Sequence, residues 1–185
     1  MLAATLHGGV ARLELIPTDE ERDIRAAVRG ICDSFPEDYS RRKHAEGQPP
    51  TELWDALAEK GYLGVNVPEE WGGGGLGMSG LAAVGEEISG AGKSLLLIVV
   101  SPAIVGSILA RHGTGEQKEQ WLRGIAAGST KVAFAITEPD AGTNSHNLST
   151  SLEPRDGRLL LNGQKTYRAS PTRSRRPRST SSWPG

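Results

Sequence analysis

The segment "KVAFAITEPDAGTNSHNLST", residues 131–150, marks the point where helical patterning gives way to strand patterning. "KVAFAI" is apolar and partly β-branched, which favours a buried strand, and the stretch from Pro139 to Gly142 then favours a turn. Further on, "LSTSLEP" alternates, "RDG" is typical of a turn, and "RLLLNGQKTY" is typical of a strand interrupted by an Asn-Gly turn. We therefore predict three or four strands, too few to close a sheet that hides its edges.

The residues before this segment carry the patterning of an all-α domain. Apolar residues recur at helical spacing in about five segments, at residues 17–35, 51–61, 76–92, 94–112 and 114–128. The polar stretch 36–50 between the first two segments is predicted to be a loop. The predicted fold class is α+β, with a helical domain over residues 1–130 and the start of a β domain over 131–167.

Two of the predicted helices begin with the spacing of a capping box. Thr18 with Glu21, and Thr114 with Gln117, can each satisfy two backbone donors of a first helical turn. The segment 94–112 is apolar nearly all round, which predicts a central buried helix. Pro102 is expected either to start this helix or to kink it.

The charge distribution separates the end of the chain from the rest. Residues 168–185 hold five Arg and no Asp or Glu, whereas residues 1–167 hold 16 basic and 22 acidic residues. The acidic body gives no electrostatic reason to expect nucleic acid as a partner. The composition of residues 168–185 favours a disordered or out-of-frame ending. Two alternatives stay open: a basic arm that binds nucleic acid or an anionic surface, and a divergent continuation of the β domain.

Composition excludes several classes of site. The single cysteine, Cys32, rules out an internal disulfide and is predicted to be a small buried hydrophobe. The four histidines lack the spacing of metal ligands, so no metal site is predicted. No secretory signal is recognisable, and the most apolar run, residues 95–110, is shorter than the ~20 residues that span a bilayer. A soluble, cytoplasmic protein without membrane partners is expected.

The glycine-rich run "GGGGLG", residues 72–77, formally matches the G-x-G-x-x-G pattern of dinucleotide-binding proteins. That pattern binds a pyrophosphate only between a strand and a helix of a βαβ unit. Here the preceding residues are "PEEW" and the surrounding segments are helical. A flexible turn is therefore predicted instead.

The turn after Ile136 has the composition of a ligand site. Pro139 stiffens the turn and Gly142 removes side-chain bulk, so that a flat or phosphorylated ligand could approach the main chain. Thr137 and Thr143 add hydroxyl groups that can donate without carrying charge. The alternative is a threonine-rich turn that only stabilises itself.

Four segments together resemble the acyl-CoA dehydrogenase family. "FAITEPDAGTNSHNLST" resembles the family signature, in which Thr-Glu-Pro-x-Ala-Gly-Ser-Asp follows an apolar pair, and "LNGQKTY" resembles its later Asn-Gly-x-Lys-x-Trp/Tyr segment. "VPEEWGGGGLG" and "HGTGEQKEQWLRGIAAG" are similar to its N-terminal connection and its Gly-Thr-x-x-Gln-Lys helix. The resemblance implies a helical domain, a middle β domain and a C-terminal four-helix bundle, of which residues 18–167 cover the first and the start of the second.

The same resemblance implies an FAD site. The family removes two hydrogens from an acyl-CoA thioester by means of FAD, and its full-length members are homo-oligomers. The residues that the resemblance assigns to the cofactor are Phe134, Ala135, Ile136, Thr137, Gly142, Thr143 and Tyr167. Thr143 is also implied to lie close to the acyl-CoA substrate.

Several positions depart from the family pattern. Asn144 stands where aspartate is usual, and Asp140 places a carboxylate where the family has a small residue near phosphates. After Tyr167, Arg168 and Ala169 replace the expected Ile and Ser or Thr, and the resemblance ends. No catalytic residue is assigned, because the family's glutamate base commonly lies in the C-terminal part, and Glu138 belongs to the signature turn.

The resemblance therefore predicts the N-terminal fragment of an FAD-dependent acyl-CoA dehydrogenase that is inactive alone. Two alternatives stay open. One is a non-catalytic helical module that packs against a partner protein, because the unpaired N–H and C=O groups of an open strand edge can pair with another chain. The other is a fragment of a related flavin-dependent acyl-CoA oxidase or nitroalkane-type oxidase.

Overall fold

The computed structural model describes residues 4–6, 9–11 and 17–166. The predictions made for Tyr167 and for residues 168–185 lie outside the described residues. Near the N-terminus, β1 (Ala4–Leu6) pairs antiparallel with β2 (Gly9–Ala11). This hairpin was not predicted, because each strand has only three residues and shows no alternation long enough to recognise.

A helical domain follows, as predicted. Within the described residues its helices are α1 (Asp19–Asp33), α2 (Tyr39–Ala45), α3 (Thr51–Glu59), α4 (Gly77–Gly90), α5 (Ser107–His112) and α6 (Gly115–Ala126). A π-helical segment, Val99–Gly106, leads directly into α5. The all-α prediction for this part of the chain is confirmed.

The prediction of a loop over residues 36–50 is wrong, because α2 lies within it. Tyr39, the only buried residue of α2, packs its ring 4.9 Å from that of Phe35 and donates from Oη to Glu52 at 2.8 Å. A seven-residue helix with one buried side chain leaves no periodic pattern in the sequence. Tertiary contacts of Tyr39 therefore stabilise a helix that the local sequence pattern does not predict.

Both predicted capping boxes are present. Thr18 Oγ1 accepts from Glu21 N at 3.2 Å while Thr18 N donates to a Glu21 carboxylate oxygen at 3.0 Å. Thr114 and Gln117 make the same two hydrogen bonds at 3.2 and 3.0 Å. Each box satisfies backbone donors that would otherwise be orphaned at a helix start, which fixes where α1 and α6 begin.

The core lies between α1, α3 and α4. Val28 and Cys32 of α1 are fully buried against Leu53, Leu57 and other apolar residues, and Cys32 is a buried hydrophobe as predicted. Burial raises the pKa of the Cys32 thiol, which keeps it protonated and unreactive. Ile24 of α1 is also buried, and Ile31 is half-buried against the same core.

The apolar segment around Pro102 differs from the predicted all-round buried helix. Pro102 is fully buried inside the π-helical segment, where the wider backbone accommodates a residue that has no N–H. Leu96 and Val99 face outward, with 70% and 49% of their surface exposed. No helix among the described residues combines the length and the apolar composition that crossing a membrane requires.

The glycine-rich run is a turn, as predicted, and its main chain packs against a neighbouring segment. It joins a 3₁₀ turn, Glu69–Trp71, to α4, so the βαβ context of a dinucleotide site is absent from this part of the described structure. Gly74 N donates to the carbonyl of Gly64 at 3.0 Å and Gly75 N to that of Val67 at 2.9 Å. Glycine has no side chain, which allows this close main-chain contact. The glycine-rich sequence by itself does not show that contact.

The β portion contributes a single hairpin within residues 17–166. β3 (Ser151–Arg155) pairs antiparallel with β4 (Arg158–Asn162), so two of the predicted three or four strands are present. The "RDG" turn is confirmed, because Asp156 and Gly157 have φ of 53° and 72°, as a two-residue hairpin turn requires. The segment 131–137, which was predicted to be a strand, does not form a regular one. Among the described residues, β3 and β4 pair with each other and with no third strand.

The contact between α2 and α3 predicts a pH-dependent contribution to stability. Lys43 Nζ, 2.6 Å from Glu52, together with the Tyr39 hydroxyl, lowers the pKa of the Glu52 carboxyl from 4.5 to about 2. Because the folded-state pKa is the lower one, this contribution is full above pH 4.5 and is lost as the pH falls towards 2. We expect Glu52→Gln to be less stable than the native chain at pH 7 and equal to it near pH 2, in urea unfolding followed by circular dichroism. A difference that stays constant over this range would contradict the assignment.

Candidate functional site

The signature residues form a tight turn after the extended segment 131–137. Glu138 N donates to Ala141 O at 3.0 Å and Ala141 N to Glu138 O at 3.2 Å. Ala141 is buried, whereas Pro139 and Asp140 are exposed. The turn therefore projects from the domain and is anchored at its two ends.

The carboxylate of Glu138 is the centre of this anchor. It is 4% exposed and accepts five hydrogen bonds. The donors are Ser149 N at 2.7 Å, Ser149 Oγ at 2.7 Å, Thr150 N at 3.0 Å, Thr150 Oγ1, and Lys165 Nζ at 2.8 Å. A carboxylate offers about four lone-pair sites, so the hydrogen-bonding capacity of Glu138 is used in full.

This environment excludes Glu138 as a general base. The ammonium of Lys165, with the hydroxyl of Thr150 and the amide of Ser149, holds the pKa of the Glu138 carboxyl far below its usual range. A useful base needs a pKa near the working pH and a lone pair directed at the substrate. Glu138 has neither, which supports the structural role inferred from its place in the signature turn.

The segment Lys165–Thr166 clamps the strand-like residues before the turn. Lys165 Nζ donates to Ile136 O at 3.0 Å, and Thr166 N donates to Thr137 O at 2.8 Å. Two segments about 30 residues apart in sequence are thereby brought into contact. Both motifs were recognisable in the sequence, but the contact of Lys165 between them was not predicted. The available signal was a lysine in the second motif and a glutamate in the first.

The predicted cofactor residues lie on one continuous stretch, apart from Tyr167. Phe134 and Thr137 are half-buried, Ile136 is 41% exposed, and Gly142 and Thr143 are exposed. Within the described residues the N–H of Thr137 and its hydroxyl have no hydrogen-bond partner. These two groups are donors that a ligand could use.

Gly142 is not explained by the packing of the described residues. Its φ is not positive, and a Cβ built on it would meet no heavy atom within 4 Å. Neither backbone conformation nor neighbouring atoms therefore require glycine here. An absent side chain that faces open space leaves the main chain accessible to a large flat or phosphorylated ligand.

A hollow lies away from the signature turn. This hollow of about 770 Å³ is bounded by the first half of α1, the Lys60–Tyr62 turn and the packed glycines, and it carries Glu20 and Asp23 at its margin. It is an open groove that holds none of the predicted site residues. Among the described residues, no three His, Cys, Asp or Glu side chains come together as a metal ion would require.

Comparison with known proteins identifies the family. The model of the acyl-CoA dehydrogenase N-terminal domain matches residues 18–129, which is more than half of the chain. The chain belongs to this family. The match covers α1 to α6, whose arrangement places the signature turn directly after the helical domain.

Individual relatives agree with this assignment. Acyl-CoA dehydrogenase FadE12 of Mycobacterium tuberculosis is 46% identical over 152 residues, which cover 82% of this chain and 39% of the relative. The crystal structure of an acyl-CoA dehydrogenase from Geobacillus kaustophilus superposes with a TM-score of 0.75 at 30% identity, covering 83% of this chain and 40% of that one.

A third match concerns a flavin complex. Acyl-CoA dehydrogenase from Bacillus anthracis, solved in complex with FAD, superposes with a TM-score of 0.70 at 25% identity and covers 82% of this chain and 26% of that one. The chain spans about two fifths of the length of the curated relatives it matches.

Proposed function

We propose that this chain supplies the N-terminal domain and the first flavin-binding segment of an FAD-dependent acyl-CoA dehydrogenase. Such an enzyme removes two hydrogens from the α,β carbons of an acyl-CoA thioester. The observation that carries the proposal is the clamped segment Ile136–Thr137. Its Thr137 N–H and hydroxyl have no partner among the described residues, and no described atom covers the main chain at Gly142. Family membership and the FAD complex of a structural relative support it.

The residues present fit FAD at this place. The main chain from Phe134 to Thr137 and the Thr137 hydroxyl would hold the ring system, and Gly142 with Thr143 would lie along the phosphates and the acyl-CoA. When bound, FAD supplies an acceptor for a hydride. The chain's own contribution is to orient donors without charge and to keep the approach free of side-chain bulk.

The proposal predicts that a side chain at position 142 impairs FAD binding. Because no heavy atom of the described residues would meet a side chain at Gly142, Gly142→Val is expected to leave the fold unchanged. It should raise the dissociation constant for FAD roughly tenfold or more by blocking close approach. The measurement is quenching of FAD fluorescence on titration with the purified chain. The control is Gly85→Ala. Gly85 lies in α4, and its added Cβ would also meet no heavy atom within 4 Å, so this variant should bind FAD like the native chain.

We also propose that the 185-residue chain alone does not turn over acyl-CoA. Glu138, the buried carboxylate at the signature turn, is committed to five donors and cannot take the α-proton. The test is to add saturated acyl-CoA thioesters of several lengths, FAD and an electron-accepting dye, and to follow dye reduction. Sustained reduction that depends on the acyl-CoA would contradict this proposal.

A second candidate function rests on exposed apolar side chains of the β3–β4 hairpin. Leu152 and Leu161 face each other across the ladder and are 59% and 67% exposed, and no further strand among the described residues pairs with the edges of the hairpin. A non-catalytic module that docks a partner protein through this hairpin would have these features. Copurification of a stoichiometric partner without flavin colour would favour this candidate over the dehydrogenase.

A further inference from the structure

The contact between Lys165 and Ile136 controls the direction of a neighbouring donor. A peptide unit is planar and trans, so the carbonyl of one residue and the N–H of the next point in opposite directions. Lys165 Nζ lies 3.0 Å from the Ile136 carbonyl oxygen. Fixing that carbonyl therefore fixes the direction of the Thr137 N–H, which has no acceptor among the described residues.

The next peptide unit is fixed as well. Thr166 N donates to Thr137 O at 2.8 Å, and Glu138 N donates to Ala141 O at 3.0 Å. The backbone on both sides of Thr137 is thus held by contacts to other segments. A donor in a restrained peptide plane, without an acceptor among the described residues, is oriented before any ligand arrives, which reduces the entropy lost on binding.

Lys165 is not needed merely to satisfy Glu138. The carboxylate already accepts four hydrogen bonds from Ser149 and Thr150. Lys165 also donates to the Ile136 carbonyl, and no other described residue makes that contact. Its side chain is 26% exposed, so part of the desolvation cost of a buried ammonium is avoided.

From this geometry we infer that Lys165 is a positioning residue of the flavin site: it holds the Ile136–Thr137 peptide so that the Thr137 N–H faces the cofactor. The expected effect on FAD binding rests on the proposed function. The direction of the Thr137 N–H is a property of the chain without a ligand. Glu138 acts with it by fixing the ammonium at 2.8 Å. The two motifs are therefore coupled through one side chain.

The test compares Lys165→Met with the native chain in two measurements. In ¹⁵N relaxation without FAD, the Thr137 amide should be rigid in the native chain, with an order parameter near ~0.85, and fall below ~0.6 in the variant. Hydrogen exchange at Ser149 and Thr150 should stay protected, because their acceptor remains. FAD affinity should fall roughly tenfold.

Matched variants separate positioning from general stability. Lys165→Arg can still donate to both partners and should restore most of the FAD affinity, and Lys60→Met, an exposed lysine paired only with Glu59, should change nothing. An unchanged Thr137 order parameter in Lys165→Met overturns the inference. So does an equal loss of protection at Ser149 and Thr150, which would show a purely structural role. If the native chain fails to bind FAD, the proposed function fails, and the order parameters alone decide whether Lys165 orients the peptide.

Discussion

Gly73→Ala is expected to lower the free energy of unfolding by about 3 kcal/mol, the upper end of the 1–3 kcal/mol that overpacking typically costs, because the added methyl group meets main-chain atoms. A Cβ at this position would lie 2.5 Å from the carbonyl carbon of Val67 and 2.6 Å from the carbonyl oxygen of Gly64. Both atoms belong to the main chain. The neighbours cannot yield as a flexible side chain would, and the turn must separate from the segment beneath it.

The matched control is Gly85→Ala. Gly85 lies inside α4, and its added Cβ would meet no heavy atom within 4 Å. Because alanine favours a helix over glycine, this variant should gain up to ~1 kcal/mol. Urea unfolding followed by the helical circular dichroism signal measures both variants. Equal stabilities for the two alanine variants would show that the contact of Gly73 with Val67 is looser than the structure has it.

Glu138→Gln is expected to disorder the loop between the signature turn and β3. A glutamine replaces one carboxylate oxygen with an NH₂ group that faces the backbone N–H of Ser149 or of Thr150, so at least one hydrogen bond is lost and two donors are left facing each other. Amide hydrogen exchange at Ser149 and Thr150 should accelerate roughly tenfold or more, since each loses a charge-assisted bond. Amides of α1 and α3 should keep their native protection, because local opening of a loop does not require unfolding of the core.

The pH dependence provides an independent check on Glu138. Its pKa is lowered in the folded state, so its contribution is full above the ordinary carboxyl value of 4.5 and persists as the pH falls below that value. The native chain should therefore keep Ser149 and Thr150 protected at pH 4. Glu153→Gln, an exposed carboxylate in β3, serves as the control and should leave the exchange of both amides unchanged. Loss of protection in the native chain at pH 4 would mean that the carboxylate is not held in its ionised form.

Local patterning was sufficient for most of the helical domain. Thr18 with Glu21 and Thr114 with Gln117 predicted the starts of α1 and α6, because a capping box is a contact between residues three apart. The helix α2 was missed for the opposite reason. Its stability comes from Tyr39 against Phe35 and Glu52, contacts that a window of local periodicity does not contain.

The candidate site divides in the same way. The residues that line it, from Phe134 to Thr143, were recognisable from the signature and from the small side chains of the turn. The atoms that hold it in shape were not, because Ser149, Thr150 and Lys165 lie 11 to 27 residues from Glu138. Tyr167 stays a prediction.

By itself the sequence determined the helical domain, the positions of its caps, the family and the segment that we propose for the flavin site, since each of these depends on residues close together in the chain. Tertiary structure alone decided that Glu138 is an anchor and not a base, that the glycines after Trp71 are there for main-chain packing, and that Lys165 orients the peptide before Thr137. The physical reason is that hydrogen-bond saturation and close backbone contact arise only when distant segments meet, and no spacing within either segment encodes them.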